Sequence, residues 1–339
     1  MQTFVVKKLL IVSLAAILTL TAFPIQAMAD ISFKESDFPI SDRPFEGEVP
    51  VFDTQISVAT TDASSNINGR SSRQLGWQTI NGKKYFYYAD GKLATDWWGI
   101  NNQIYYFNKS GVMQTGQTKV GKKVYYFTSQ GHLKFGWVKV KGKRRFFSMN
   151  GTVGSALKVK NVKGNYKRGT VYGPGSSAAE LKKVKNAVKK FLNKEIASNM
   201  TDYEKVKAAH DYLVKRCSYE WSTNWAVTKA NTAYGALIKK KAQCSGYARA
   251  FKALCDGMGV KCHYVHATKG SSNPNHQWNI VRVDKKWYHI DVQNNDSSGF
   301  YANFLLSDKK VKQIWRLKWP SSLPKCKKDY VLKVSLKPA

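Results

Sequence analysis

Five cysteines supply the most nucleophilic side chains of this 339-residue chain: Cys217, Cys244, Cys255, Cys262 and Cys326. The number is odd, so any full pairing leaves one thiol over, and outside the cytoplasm a leftover thiol invites a reactive role. Spacing alone does not say which one. Local context adds more: Cys244 stands where a helical pattern begins, running through Tyr247, Phe251 and Leu254 until Gly257 and Gly259 stop it. A thiolate at that position meets free N–H groups and the positive end of the helix macrodipole, which lower its pKa. A neutral thiol attacks amides poorly, so a base is needed, and the base needs a third group to orient it. His276 opens one strand pattern and Asp291 lies on the strand that returns after a tight turn at Asp284-Lys285-Lys286. An aspartate facing the same side of an adjacent strand can hold an imidazole by its second nitrogen. Singly, each residue reads as ordinary: a buried thiol, a strand histidine, an acid beside a turn. In this order and setting, the three together favour catalysis.

A metal centre is not expected, nor any cofactor. The segment Cys262-His263-Tyr264-Val265-His266 is rich in ligand types. Read as a strand, it separates Cys262 from His266 by about 13 Å at ~3.3 Å per residue, too far to share one ion.

The elements that must position these groups are legible in outline. Leu181, Val184, Val188, Phe191 and Leu192 recur at spacings of three and four, which predicts an amphipathic helix over 177–198 with a basic far side. Thr201-Asp202-Tyr203-Glu204 is a capping box opening a second helix that reaches about Lys215. A shorter helix is predicted over 233–239. Strands are predicted over 260–267, 277–283 and 287–292. Helices ahead of an antiparallel sheet make an α+β domain, here over 156–339.

Residues 76–155 form an array of four 20-residue units. Glycines recur at 91, 111, 131 and 151, and aromatic columns run Phe86, Tyr106, Tyr126, Phe146 and Tyr87, Phe107, Phe127, Phe147. A further column reads Trp77, Trp97, Gln117, Trp137. Each unit predicts a β-hairpin, and a single hairpin cannot bury its aromatics alone, so the units are expected to stack as a solenoid. The Gly-Trp, Gly, Tyr-Tyr-Phe, Gly pattern resembles the cell-wall-binding (choline-binding or glucan-binding) repeats of bacterial surface proteins. In that family, aromatics between consecutive hairpins can cage a quaternary ammonium by cation–π attraction. The resemblance makes Trp77, Tyr85, Phe86, Trp97, Trp98, Tyr105, Tyr106, Tyr125, Tyr126 and Trp137 the candidate ligand-binding residues. Gln117 departs from the Trp column, and the Lys/Arg excess suits anionic polymer or stacked sugar faces better than a cation. The other reading of any one of these rings is hairpin core.

Three blocks extend the reading of the C-terminal part: Ala242-Gln243-Cys244-Ser245-Gly246-Tyr247, then Asn275-His276-Gln277-Trp278-Asn279, then Trp287-Tyr288-His289-Ile290-Asp291. They resemble the transglutaminase-like superfamily, which shares a papain-type Cys-His-Asp core, and the likeness extends over about 178–315. It implies Cys244 as nucleophile, His276 as base and acid, and Asp291 as orienting carboxylate. Val292-Gln293-Asn294-Asn295-Asp296 departs from relatives that place Thr-Trp after the aspartate. The oxyanion is expected on the backbone N–H of Cys244, with a second donor among Tyr219, Trp221, Trp225 and Gln243. The reaction class implied is acyl transfer from an amide of a protein or peptide. Hydrolysis is the expectation, because water is always present, with protein cross-linking as the alternative. A catalytically silent, wall-binding surface protein is the reading from another class.

Lys7-Lys8, the apolar run from Leu9 to Phe23 and Ala27-Met28-Ala29 mark residues 1–29 as a cleaved export signal, so no stable membrane insertion is expected. Residues 30–75 read as an acidic leader and flexible linker, or a pro-segment folding onto the basic enzyme. The net charge is +33. Residues 30–72 hold eight acidic and three basic side chains, whereas residues 151–339 hold twelve and thirty-six. A secreted, wall-associated protein of this charge points to wall polymers, lipid headgroups or acidic substrates rather than nucleic acid.

Overall fold

The computed structural model describes residues 75–334 and 336, except 89, 90, 102, 299 and 300, with three two-residue strand fragments nearer the N-terminus. The expected signal over 1–29 and nearly all of the leader over 30–75 lie outside the described residues. Among those described, no helix is long and apolar enough to cross a membrane.

Four antiparallel hairpins follow one another: β1 (Gly76–Ile80) with β2 (Lys83–Tyr87), β3 (Asp96–Ile100) with β4 (Gln103–Phe107), β5 (Gly116–Val120) with β6 (Lys123–Phe127), and β7 (Leu133–Val140) with β8 (Lys143–Phe147). The register repeats: Trp77 faces Phe86, Trp97 faces Tyr106, Gln117 faces Tyr126 and Trp137 faces Phe146. Packing between units repeats too. Trp77 meets Tyr105 of the next hairpin at 5.0 Å between centroids, and Trp97 meets Tyr125 at 4.8 Å. The predicted glycine turns sit between hairpins, not at their tips. A side chain at Gly111 would place Cβ 2.3 Å from Leu93 of the preceding connection, and its φ of +73° also suits glycine.

The last hairpin is fastened to the helical part. Phe146 is fully buried in the same core as helices α1 (Ala178–Glu195) and α2 (Asp202–Val214). Trp137 Nε1 donates to the Glu195 carbonyl at 3.2 Å. Buried Glu204 accepts from Ser148 Oγ and from Met149 N, each at 2.8 Å, while closing the capping box on Thr201.

The predicted capping box of Thr201 with Glu204 opens α2, and a second one, not predicted, pairs Ser177 with Glu180 at the start of α1. After the short helix α3 (Trp225–Thr228), the helix predicted over 233–239 is a π-helical turn at Gly235–Lys239. Helix α4 (Cys244–Met258) runs through Gly257 and stops only at Gly259, whose φ of 76° makes the left-handed cap. A four-stranded antiparallel sheet follows in the order β9 (Cys262–His266), β10 (Gln277–Val283), β11 (Lys286–Ile290) and β12 (Phe304–Leu306). One face packs on α4; the other is covered by α6 (Asp308–Trp315) and the segment after it. The architecture is a β-hairpin repeat array followed by an α+β domain.

One predicted boundary is corrected. Strand β11 ends at Ile290, and Val292–Ser298 is helix α5 rather than strand. The cause is Asp291, whose Oδ1 accepts from Asn294 N at 3.1 Å while Asn295 N donates to its carbonyl. Acids and amides that bond their own downstream backbone turn a chain into a helix start.

Candidate active site

Cys244 is the first residue of α4, and Gln243 before it makes no side-chain cap bond, so no side chain covers the Cys244 and Ser245 N–H groups beside the thiol. That turn packs tightly beneath: a Cβ on Gly246 would lie 2.2 Å from the Ala230 carbonyl, so glycine alone fits. Gln243 instead ties the preceding loop to the helix. Its Oε1 accepts from Trp225 Nε1 at 2.8 Å and its Nε2 donates to the Ser222 carbonyl at 3.2 Å. A short parallel bridge, Ser218–Tyr219 against Lys241–Ala242, brings Tyr219 alongside.

His276 and Asp291 flank the β10–β11 hairpin, one residue outside each strand. The two-residue turn at Asp284-Lys285, both at positive φ, sets the register that draws them together. His276 Nε2 lies 2.5 Å from Asp291 Oδ2. Both residues are buried, His276 at 6% and Asp291 at 8% exposure. With Nε2 bonded to the acid, Nδ1 is the ring nitrogen left for the thiol. Cys244 Sγ lies 4.0 Å from the carbonyl of Asn275, the residue before His276. Burial opposes a charge on His276, but the Asp291 carboxylate, by charge and hydrogen bond, outweighs it, and with the Cys244 thiol pushes the imidazole up to about 10.

The sequence reading did not reach the groups that hold Asp291 in place. Asn294 Nδ2 donates to Asp291 Oδ2 at 2.8 Å, so the carboxylate binds the imidazole, an amide and a helix start at once. Behind it, Asn295 Nδ2 bonds His210 Nε2 at 3.0 Å, and His210 Nδ1 bonds Asp211 at 2.8 Å. The departure Val292 to Asp296 therefore carries part of the site, and the signal that could have found it was the Asp-x-x-Asn capping spacing.

Of the four candidates for a second oxyanion donor, Trp225 and Gln243 are tied to each other and to Ser222, and Trp221 is 83% exposed. Burial raises the Tyr219 hydroxyl, and the nearby Cys244 raises it further.

One group of metal-ligating types is close enough to hold an ion among the described residues: His289, Asp308 and Cys326, with ligand atoms within 4.8 Å of one another. Its hydrogen bonding does not suit a metal. His289 Nδ1 accepts from Trp278 Nε1 at 2.9 Å, so the ring hydrogen sits on Nε2, which bonds Asp308 Oδ1 at 2.9 Å. An ion on Nε2 would require imidazolate, and burial and the nearby Asp308 hold the Cys326 thiol protonated.

Most repeat aromatics picked out by sequence lie inside. Phe86, Trp97, Trp98, Tyr105, Tyr106 and Tyr125 are buried; Tyr85, Tyr126 and Trp137 are half-buried, and Trp77 is exposed. Trp137 already carries the Arg144 guanidinium 4.0 Å above its ring.

Comparison with known proteins finds two matches along the chain. Residues 190–292 match the transglutaminase-like superfamily, and residues 75–114 and 94–135 match the choline-binding repeat. The chain thus carries a transglutaminase-like region behind choline-binding repeats. The choline binding domain of Spr1274 from Streptococcus pneumoniae is similar at 40% identity, over 18% of this chain and 94% of that one, with a TM-score of 0.17. Choline binding protein F of the same organism, solved in the presence of a peptidoglycan analogue, is 29% identical over 26% of this chain and 37% of its own, with a TM-score of 0.17. A Cytophaga hutchinsonii protein assigned provisionally as a cysteine protease is 20% identical over 38% of this chain and 40% of its own, with a TM-score of 0.28. No curated protein sequence matches the chain.

Proposed function

We propose that this is an exported, wall-held cysteine enzyme that cleaves amide bonds of protein or peptide substrates through a thioester. The reading is carried by one observation: the buried His276–Asp291 pair at 2.5 Å, set beside a thiol at an uncapped helix N-terminus. His276, held as imidazolium by Asp291, already carries the thiol proton on Nδ1, and Cys244 Sγ attacks the amide carbonyl. The oxyanion is held by the Cys244 N–H and the Tyr219 hydroxyl. His276 returns the proton to the leaving amine, and water activated by the same imidazole releases the acid. Asp291 holds the ring in the tautomer that presents Nδ1 to sulfur. Exposed Trp221, with Trp225 and Val227 of the short helix α3 that Gln243 ties down, supplies apolar surface for the substrate chain near the thiol.

The repeats hold the protein to a wall polymer, a reading supported by the match of residues 75–114 and 94–135 to the choline-binding repeat. The experiment pairs two assays. Mature protein and Cys244→Ala are incubated with a glutamine-bearing protein and a labelled amine. Peptide cleavage lost in the variant is expected; amine incorporation instead would make the enzyme a cross-linker, and neither would sink the catalytic reading. Separately, the protein is bound to isolated walls and eluted. Release by choline supports the aromatic cage, whereas release by salt alone favours an anionic polymer.

A further inference from the structure

Behind the His276–Asp291 pair lies a second histidine–aspartate pair that the chemistry just described does not use. His289 is buried on β11 and its Nε2–H donates to Asp308 Oδ1 at the start of α6, at 2.9 Å. Its other nitrogen accepts from the indole Nε1–H of Trp278 at 2.9 Å. Trp278 is buried too, and its ring lies nearly parallel to His276, at 14° and 5.8 Å between centroids. The opposite side is wedged by Trp319, edge-on to both Trp278 and His289. Trp278, His289, Asp291 and Trp315 line one small cavity, so the two pairs meet across a common space.

We infer that His289 and Asp308 are positioning residues: by fixing the plane of Trp278 they fix the plane of His276 and so the aim of its Nδ1 at the Cys244 thiol. The inference rests on the catalytic reading above and deepens it.

The physical argument is one of constraint. Asp291 binds His276 through a single ring nitrogen, and one hydrogen bond leaves the imidazole free to rotate about it. A flat aromatic neighbour removes that freedom, because offset parallel stacking favours one plane. A tryptophan provides this only if it cannot slide, and burial of the indole N–H demands an acceptor. His289 provides one in its neutral form. Were it protonated, two N–H groups would face each other. Burial lowers its pKa against the pull of Asp308, while Lys312 lowers it further and the Cys326 thiol stays uncharged beside it. Neutral His289 donates to Asp308 and accepts from Trp278, so both of its ring nitrogens are satisfied.

The test reads the aim of the imidazole directly, as the pH dependence of Cys244 alkylation by iodoacetamide, followed by mass spectrometry of the Cys244 peptide. Thermal melts run alongside. In wild type, Cys244 should react faster than free cysteine at pH 6 if it is the activated nucleophile. Trp278→Leu removes the stacked ring, and the rate at pH 6 is expected to fall about tenfold, with the profile moved to higher pH. Trp278→Phe keeps a ring but not the N–H, and Asp308→Ala frees His289; each is expected to fall about threefold. Asp308→Asn still accepts from His289 Nε2–H and should restore the wild-type profile. A purely structural role would lower the melting temperature and leave the profile in place, which overturns the inference. Should Trp278→Leu not fold, wild-type profiles in both Trp278→Phe and Asp308→Ala overturn it equally. A wild-type Cys244 no more reactive than free cysteine would sink the catalytic reading itself, and this inference with it; wild-type reactivity with unmoved variants removes the inference alone.

Discussion

The hairpin array and the helical domain use aromatic rings in opposite ways. In the array, Trp97 touches Tyr106 of its own hairpin and Tyr125 and Phe127 of the next, so each ring is held by units within about one repeat along the chain. In the helical domain, Trp278 is held by Trp319 from beyond α6 and stacks on His276, so a ring serves groups distant in sequence. The array is stabilised unit by unit, as quasi-one-dimensional folds are. The site is stabilised by closure of the whole domain, and damage should spread differently in the two.

The largest effect should come from the acid that joins both functions of its neighbourhood. Asp291→Ala is expected to lower the acylation rate by about 10³-fold. It should also move the alkaline limb of activity down from about 10 toward the ordinary 6.5, because the carboxylate is what raises His276. The sign follows from linkage. A raised pKa stabilises the fold below 6.5, and that contribution disappears as pH climbs through about 10. A pH–rate profile and a pH series of melts check both. Trp97→Ala comes next, at about 3–5 kcal/mol of array stability. Cys244 alkylation should stay unchanged, and a loss there would break the contrast.

Glu204→Ala should cost about 2 kcal/mol by denaturant titration, because it removes a helix cap and leaves Ser148 Oγ and Met149 N buried without their acceptor. A loss limited to a cap's worth, about 1 kcal/mol, would mean the last hairpin is merely tethered. The smallest effect is reserved for Trp221→Ala. It should raise KM for apolar peptides by about threefold with kcat unchanged, the worth of part of one aromatic face.

Much of this was legible in residue order. The 20-residue period gave four hairpins, and the cross-strand pairing of Trp77 with Phe86 repeats down the array. The capping box on Thr201 was readable because it depends on residues three apart. The His276–Asp291 pairing was readable because a hairpin of known turn brings fixed positions together. The turn into α5 was misread because a valine after a strand looks like more strand, and the deciding bond runs from Asn294 back to Asp291. The burial of Trp98, Tyr105 and Tyr125 was not readable, since a ring meant for a ligand and a ring meant for the core have the same composition and period.

Sequence by itself determined the hairpin repeats, the first two helices and the turn that pairs His276 with Asp291, because local periodicity, capping and short-range turns need only neighbours. Tertiary structure alone decided that Asn294 shares the Asp291 carboxylate, that His289 stands behind Trp278, and that Glu204 fastens the array to the enzyme. Each of these joins elements through side-chain hydrogen bonds whose geometry exists only once separate helices, strands and hairpins have packed.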